Sequence, residues 1–389
     1  MSKTKVAIVG IGGRGSWLVE SVAKREDAQL VAICDRHIRK AEYMVQKCGL
    51  TDARVFDSVE ALLGGVDCEA VMITTGDAHH AEVVVPALKA GKFVFCEKPL
   101  ETTAAKCKAI IAADKKAGGK TFVGFNLRYA PVYVKVKQVI DSGALGDLLT
   151  IQADEFYDGG RTYFRRWNRF RAEGGGLWIT KASHDFDLLY WFAGAQPLEV
   201  YATAQKTYYT PKFEAAMQCR NCKLEATCPD RAPREASPLV KIREECGGEP
   251  HDLCLYNAPS DTFDHGIATV AFERDIMATY TCNVVAGFSD RRIRVSGTKG
   301  TVEGCLSGKT LTLYRRDPSA REEVPIDVDL RVGHGGADAD VQTGFFAFVR
   351  GEAEPKCRPS DAVVPVCMGL AATRSGDLHR VVKMSSFKV

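Results

Sequence analysis

The stretch Lys5-Val6-Ala7-Ile8-Val9-Gly10-Ile11-Gly12-Gly13-Arg14-Gly15 decides the fold of this 389-residue chain. A short β-branched run passes into G-x-G-x-x-G and then into a helix-compatible segment, Ser16–Lys24. Strand, glycine loop and helix in that order are the context in which such a loop holds a dinucleotide. Gly10 permits the tight turn, Gly12 lets backbone approach a pyrophosphate, and Gly15 lets helix and strand pack closely. The helix N-terminus, with Gly13 and Arg14 beside it, turns free N–H groups and a positive dipole end toward the anion.

Outward from that loop, Leu30–Cys34, Ala70–Ile73, Phe93–Cys96 and Thr121–Phe125 are further short apolar runs. Nearly continuous runs of this length fit strands buried on both faces of a parallel sheet. Arg39–Cys48, Ala78–Ala90 and Thr103–Ala117 are helix-compatible and lie between them. The alternation implies right-handed βαβ units, hence an α/β, doubly wound Rossmann domain over residues 1–126. After the strand Leu30–Cys34 come Asp35 and Arg36. A carboxylate there accepts the ribose hydroxyls of NAD and repels a 2′-phosphate, which Arg36 would instead meet. NAD is the expected cofactor and NADP the alternative.

Residues 127–389 read as a second, α+β domain. Leu148–Asp154, Leu198–Tyr208, Gly266–Phe272, Ala278–Val285, Arg291–Ser296, Thr301–Cys305 and Thr310–Tyr314 are strand-like, often with period-two alternation. Few helices separate the last five, which predicts a large, mostly antiparallel, open-faced sheet with helices on one face. Pro131–Ser142, Thr180–Phe192, Val341–Arg350 and Ala362–Val382 read as helices. The stretch at about 210–260 is a Cys-rich insert.

Composition narrows the function. A net charge of +3, from 52 basic and 49 acidic residues, argues against a whole-chain grip on nucleic acid. No apolar run approaches the ~20 residues of a membrane span. With no export signal at the N-terminus, the 14 cysteines are expected as reduced thiols in the cytoplasm.

The strand Phe93–Cys96 ends in Glu97-Lys98-Pro99. An ammonium at the carboxyl end of a parallel strand points into the crevice where ligands bind, and burial lowers its pKa. Such a lysine can hydrogen-bond a substrate hydroxyl and share in moving its proton. A surface Glu–Lys pair is the plainer reading.

Together these residues resemble the Gfo/Idh/MocA family of sugar and cyclitol oxidoreductases. The resemblance rests on Gly10–Gly15, Asp35, Ile73-Thr74-Thr75 with His79 and His80, and Glu97-Lys98-Pro99. It continues in Gly124-Phe125-Asn126-Leu127-Arg128-Tyr129, Gly174–Gly176, His184-Asp185-Phe186-Asp187 and Gly297-Thr298-Lys299-Gly300. It implies NAD(P), a catalytic Lys98, and oligomerisation, as a homodimer or homotetramer, through the open-faced sheet. It adds Thr74, Thr75, His80, Glu97 and Asn126 to the expected cofactor contacts, with Arg128 and Tyr129 toward the substrate. The family shows Asp at the place of Thr180, a departure in this chain, while His184 and Asp187 are retained. On one helix 180, 184 and 187 share a face. His184 is then the candidate general base, imidazole titrating near neutrality, with Thr180 and Lys181 beside it.

Arg161, Arg165, Arg166, Arg169 and Arg171 fall within eleven residues, interleaved with aromatics. Tyr163, Arg166 and Trp167 are taken as a substrate wall, stacking on sugar faces and binding hydroxyls or acids. Cys219-x2-Cys222-x5-Cys228-Pro229, with Cys254 as fourth ligand and Cys246 and His251 as rivals, is the spacing of a structural zinc or [4Fe–4S] site. The expected activity is NAD-dependent hydride transfer at a secondary hydroxyl of a sugar, cyclitol or glycoside. The alternatives are an NAD-dependent glycosidase working by transient C3 oxidation and, further off, a nucleotide-binding regulator without turnover.

Overall fold

The structure, a computed structural model, describes residues 3–212, 214–326 and 336–387. Six strands form the first sheet: β1 (Thr4–Val9), β2 (Ala28–Cys34), β3 (Arg54–Phe56), β4 (Ala70–Ile73), β5 (Phe93–Cys96) and β6 (Thr121–Val123). All pair in parallel, in the order β3-β2-β1-β4-β5-β6. The order reverses between β1 and β4, which opens the ligand crevice at their carboxyl ends. Helices α1 (Gly13–Val22), α2 (Ile38–Cys48), α3 (Val59–Gly65), α4 (His80–Lys89) and α5 (Ala104–Lys116) connect the strands. β3 and α3 escaped the sequence reading, because three and seven residues carry too little periodicity.

The second sheet has nine strands: β7 (Leu148–Phe156), β8 (Pro197–Gln205), β9 (His265–Phe272), β10 (Met277–Asn283), β11 (Asp290–Gly297), β12 (Gly300–Cys305), β13 (Thr310–Arg316), β14 (Ser319–Pro325) and β15 (Val382–Lys383). Their order is β14-β13-β12-β11-β7-β10-β9-β8-β15, antiparallel except for the parallel pair β7–β10. Alternate residues such as Ile151, Val270, Tyr280 and Val295 are buried beneath the helices Ser183–Ala193 and Pro359–Leu378. Their neighbours Leu149, Ile267 and Met277 are exposed on the other face. β14 escaped the sequence reading because its residues are mostly polar and exposed, as suits a charged edge strand.

Two expected helices differ. The last ends at Leu378, and Val382 belongs to β15 instead. The helix expected over Thr180–Phe192 is two helices, Leu177–Thr180 and Ser183–Ala193, broken at Lys181–Ala182. The first core also draws on the far end of the chain. Phe345, on the helix Ala337–Val349, lies 5.5 and 5.8 Å from the rings of Phe95 and Phe122. Among the described residues no helix is long and apolar enough to cross a membrane.

Candidate active site

The glycine loop leaves β1 with Gly10 at φ +96°, a conformation that favours glycine. A Cβ there would sit 2.6 Å from the Thr75 amide nitrogen, and one on Gly15 would sit 1.9 Å from the Gly10 carbonyl oxygen. Thr74 locks the turn by donating its hydroxyl to the Gly10 carbonyl (2.6 Å). Gly12 and Gly13 face open space, and α1 begins there with no side-chain cap. Backbone N–H groups are thus left for an anion, as a pyrophosphate requires. Asp35 is buried, and its carboxylate accepts the amides of Ile11 (2.7 Å) and His37 (2.9 Å) and the Lys40 ammonium (2.8 Å). Lys40 was not anticipated, and only the fold brings it onto Asp35.

Arg14 reaches out of the loop to Glu97 (2.6 Å) and to Asp338 (2.8 Å) on the helix Ala337–Val349, and Asn126 donates to the same Asp338 oxygen (2.7 Å). Glu97 also accepts the Lys98 amide (3.1 Å). The Lys98–Pro99 peptide is cis, and His80, fully buried, donates from Nδ1 to the Pro99 carbonyl (2.8 Å). The Thr75 hydroxyl and Asn126 Oδ1 are buried without hydrogen-bond partners among the described residues. An open glycine cradle and orphaned polar atoms along one crevice fit a dinucleotide.

Lys98 meets the second lobe. Its Nζ donates to the Thr180 carbonyl at 3.1 Å. In an unbroken helix that carbonyl would serve the amide of residue 184; the break at Lys181–Ala182 leaves it for lysine. Burial lowers the Lys98 pKa, opposed by Asp77 and Glu97 and assisted by Lys181 and Arg14. His184 opens the next helix, buried, with its ring at 79° to Phe125 and 6.0 Å away. The shared helical face expected for 180, 184 and 187 is interrupted, yet Thr180 stays beside Lys98.

Other expected contacts have different work. Arg128 is buried in a two-pronged pair with Asp187 (2.7 and 2.8 Å) and donates to the Lys356 carbonyl. Asp187 is therefore spent on Arg128. Tyr129 lies between Phe122 (6.0 Å) and the Lys356 ammonium (4.3 Å). Both residues tie elements together. Lys181 is buried against Glu155 (2.8 Å) and 3.8 Å from the centre of the Tyr157 ring. Glu155 also pairs with Arg291, which reaches Asp185 (3.1 Å). The second ammonium is thus neutralised from behind. Tyr163 packs 6.2 Å from Tyr157, and Arg166 and Trp167 are exposed.

Most of the arginine cluster holds the Cys-rich insert. Arg165 donates to the carbonyls of Leu253 (3.1 Å) and Asp230 (2.6 Å), Arg169 is buried against Glu249, and Arg171 pairs with Asp377 (2.8 Å). A bridge between Gln218 and Leu253 sets Cys219 beside Cys254, and Cys219, Cys222, Cys228 and Cys254 line one cavity of about 170 Å³. Cys246 and His251 are not among its lining residues. The zinc or [4Fe–4S] expectation is nevertheless not met: among the described residues no group of three or more His, Cys, Asp or Glu side chains is arranged to hold a metal ion. All four thiols are free, and burial pushes Cys219 toward its neutral form. Ion pairs and hydrogen bonds do the holding: Arg220 on Asp252 (2.7 Å) and Tyr208 on Asp230 (3.0 Å) add to the arginines above.

Asp77, in the loop four residues past the end of β4, was also overlooked. It is buried within the field of Lys98 and His80. Its signal was available: a carboxylate at the carboxyl end of a parallel strand lies in the ligand crevice for the same reason as Lys98.

The chain has clear relatives. Residues 4–125 match the oxidoreductase family with an NAD-binding Rossmann fold, and residues 133–303 match the GFO/IDH/MocA C-terminal domain. Over 255 residues it is 29% identical to the putative oxidoreductase YteT of Bacillus subtilis, covering 60% of each protein. Over 190 residues it is 36% identical to the inositol 2-dehydrogenase/D-chiro-inositol 3-dehydrogenase of Lactiplantibacillus plantarum, covering 48% of this chain and 52% of that one. The chain thus spans about half the length of these relatives. Scyllo-inositol dehydrogenase from Lactobacillus casei, solved with NAD(H) and scyllo-inositol, shares the fold with a TM-score of 0.72 at 20% identity, over 99% of this chain and 100% of that one. The chain belongs to the Gfo/Idh/MocA family of oxidoreductases, with an NAD-binding Rossmann domain.

Proposed function

We propose that the chain is an NAD-dependent dehydrogenase acting on a secondary hydroxyl of a cyclitol or sugar. One observation carries the reading: the Lys98 ammonium, at the end of β5, crosses the crevice to the Thr180 carbonyl (3.1 Å), next to the helix that presents His184. Bound NAD+ supplies the hydride acceptor. The loop Gly10–Gly15 would hold its pyrophosphate and Asp35 its ribose hydroxyls, and Asp35 favours NAD over NADP although Arg36 and Lys40 lie near. Lys98 hydrogen-bonds the reacting hydroxyl and lowers the cost of its negative charge as the carbon loses hydride. His184 takes the hydroxyl proton, leaving a ketone, NADH and one proton. Asn126, Thr74, Thr75 and His80 shape the nicotinamide end. Tyr163, Arg166 and Trp167 remain as the substrate wall.

The inositol dehydrogenases among the relatives support a cyclitol first and a sugar second. Cyclitols, free sugars and glycosides assayed by absorbance of reduced nicotinamide test the proposal. Accumulation of NADH with a cyclitol or sugar is expected. Glycoside hydrolysis without NADH accumulation would replace this reading with the glycosidase. Self-association as a homodimer or homotetramer through the open face of the second sheet, where Leu149, Ile267 and Met277 are exposed, is testable by light scattering.

A further inference from the structure

Buried charges bracket the break at Lys181–Ala182. The Lys181 ammonium pairs with Glu155 (2.8 Å) on β7, Glu155 pairs with Arg291 on β11, and Arg291 Nε donates to Asp185 (3.1 Å), the residue after His184. Glu155 and Arg291 are register partners in the second sheet. All four residues are buried, none more than 6% exposed. The chain alternates in sign, and its two ends are held as well. Lys181 lies 3.8 Å from the centre of the Tyr157 ring, and the Tyr280 hydroxyl donates to the other Asp185 oxygen (3.0 Å). In a continuous helix Lys181 and Asp185 would be neighbours one turn apart, able to pair directly. Here a pair of side chains from the sheet links them instead, across a break that contains no glycine or proline. Apolar side chains of similar volume would serve stability as well, since burying charges costs about what their pairing returns. What the paired charges add is one fixed arrangement.

We propose that Lys181, Glu155, Arg291 and Asp185 are positioning residues for the reaction, a clip from the sheet that sets the angle between the helices Leu177–Thr180 and Ser183–Ala193. At that angle the Thr180 carbonyl takes the Lys98 ammonium (3.1 Å), and the second helix carries His184 in its first turn. Lys181 then acts through the main chain of its neighbour Thr180. This role rests on the dehydrogenase reading of Lys98 and His184.

Lys181→Met/Glu155→Gln removes one charge of each sign and leaves Arg291 on Asp185. With a cyclitol that the parent oxidises, single-turnover hydride transfer should slow at least ~10-fold, because a misplacement of about 1 Å costs up to about 10²-fold. NAD affinity, the cyclitol KM and the urea unfolding midpoint should stay near the parent's. Glu155→Gln alone, which strands the Lys181 ammonium, should lower the unfolding midpoint and the transfer rate together. A double variant with the parent's midpoint and the parent's transfer rate would overturn the clip, leaving the charges a purely structural role. A raised cyclitol KM with an unchanged rate at saturation would also overturn it, and Lys181 would be a substrate contact. Lys181→Met, which keeps Glu155 on Arg291, replaces the double variant if that one does not fold, with the same outcomes. A second readout needs no turnover. Amide hydrogen exchange over Leu177–Leu188 should quicken at least ~10-fold in the double variant, while α5 exchanges as in the parent; unchanged exchange over Leu177–Leu188 would overturn the clip. If exchange quickens but the parent oxidises no cyclitol or sugar, the dehydrogenase reading fails and the clip stands.

Discussion

Replacing Arg128 with Met separates a structural arginine from a substrate-binding one. The guanidinium donates two bonds to Asp187 (2.7 and 2.8 Å) and one to the Lys356 carbonyl, with 4% of the residue exposed and none of Asp187. Arg128→Met leaves Asp187 as a carboxylate without solvent or counter-charge. Removing one partner of such a pair costs ~3–5 kcal/mol, against a total stability of ~5–15 kcal/mol. The urea unfolding midpoint should fall accordingly, with the slope unchanged. The deficit has a predictable pH dependence. Burial already raises Asp187, and Arg128 opposes that rise. Without Arg128 the folded pKa climbs further above the unfolded value, so the folded state holds a proton that the unfolded chain releases. Stability of the variant therefore drops as pH rises through that interval, and the deficit shrinks toward acid pH. Arg128→Met/Asp187→Leu, which removes both charges, should regain most of the loss. A variant that keeps its unfolding midpoint and shows only a raised substrate KM would refute this, and Arg128 would return to the expected substrate contacts.

Other outcomes follow from the same geometry. Gly10→Ala forces a Cβ to within 2.6 Å of the Thr75 amide at φ +96°, so titration calorimetry should find NAD binding lost and urea unfolding a stability loss of ~1–3 kcal/mol. For Asp77, the folded protein retains a proton between the ordinary 3.8 and about 6, so stability falls by up to ~3 kcal/mol as pH rises across that window. Asp77→Asn should therefore be more stable than the parent at about pH 7.5 and equal to it near pH 4. Metal analysis of anaerobically purified protein should find less than one zinc or iron per chain; a full equivalent of zinc, or four of iron, would show that the thiols at 219, 222, 228 and 254 close on a metal after all.

What the sequence disclosed was local. Gly10–Gly15, Asp35 and Glu97-Lys98-Pro99 each sit at the end of a strand that its own residues specify, so the loop and the lysine could be placed without tertiary contacts. The parallel sheet followed from the same runs. What it concealed was pairing at a distance. Arg128 reads as a pocket arginine until the fold brings Asp187, 59 positions away, onto it. Arg165, Arg169 and Arg171 have no partners visible in the sequence because Asp230, Glu249 and Asp377 lie far along the chain. Asp338 reaches Arg14 across 324 positions. The break at Lys181–Ala182 has no glycine or proline to announce it, and it supplies the carbonyl that Lys98 uses. The cysteine spacing was correctly seen as one cluster, since all four thiols line one cavity, but spacing alone does not orient sulfur atoms toward a common point.

The central claim is that Lys98 acts at the reacting hydroxyl while the glycine loop holds the nucleotide independently of it. Single-turnover reduction of NAD by Lys98→Met, with an oxidisable cyclitol and with NAD affinity measured on the same preparation, tests it directly. The account predicts unchanged NAD affinity and hydride transfer slowed by at least ~10²-fold. Transfer at the parent rate would contradict it.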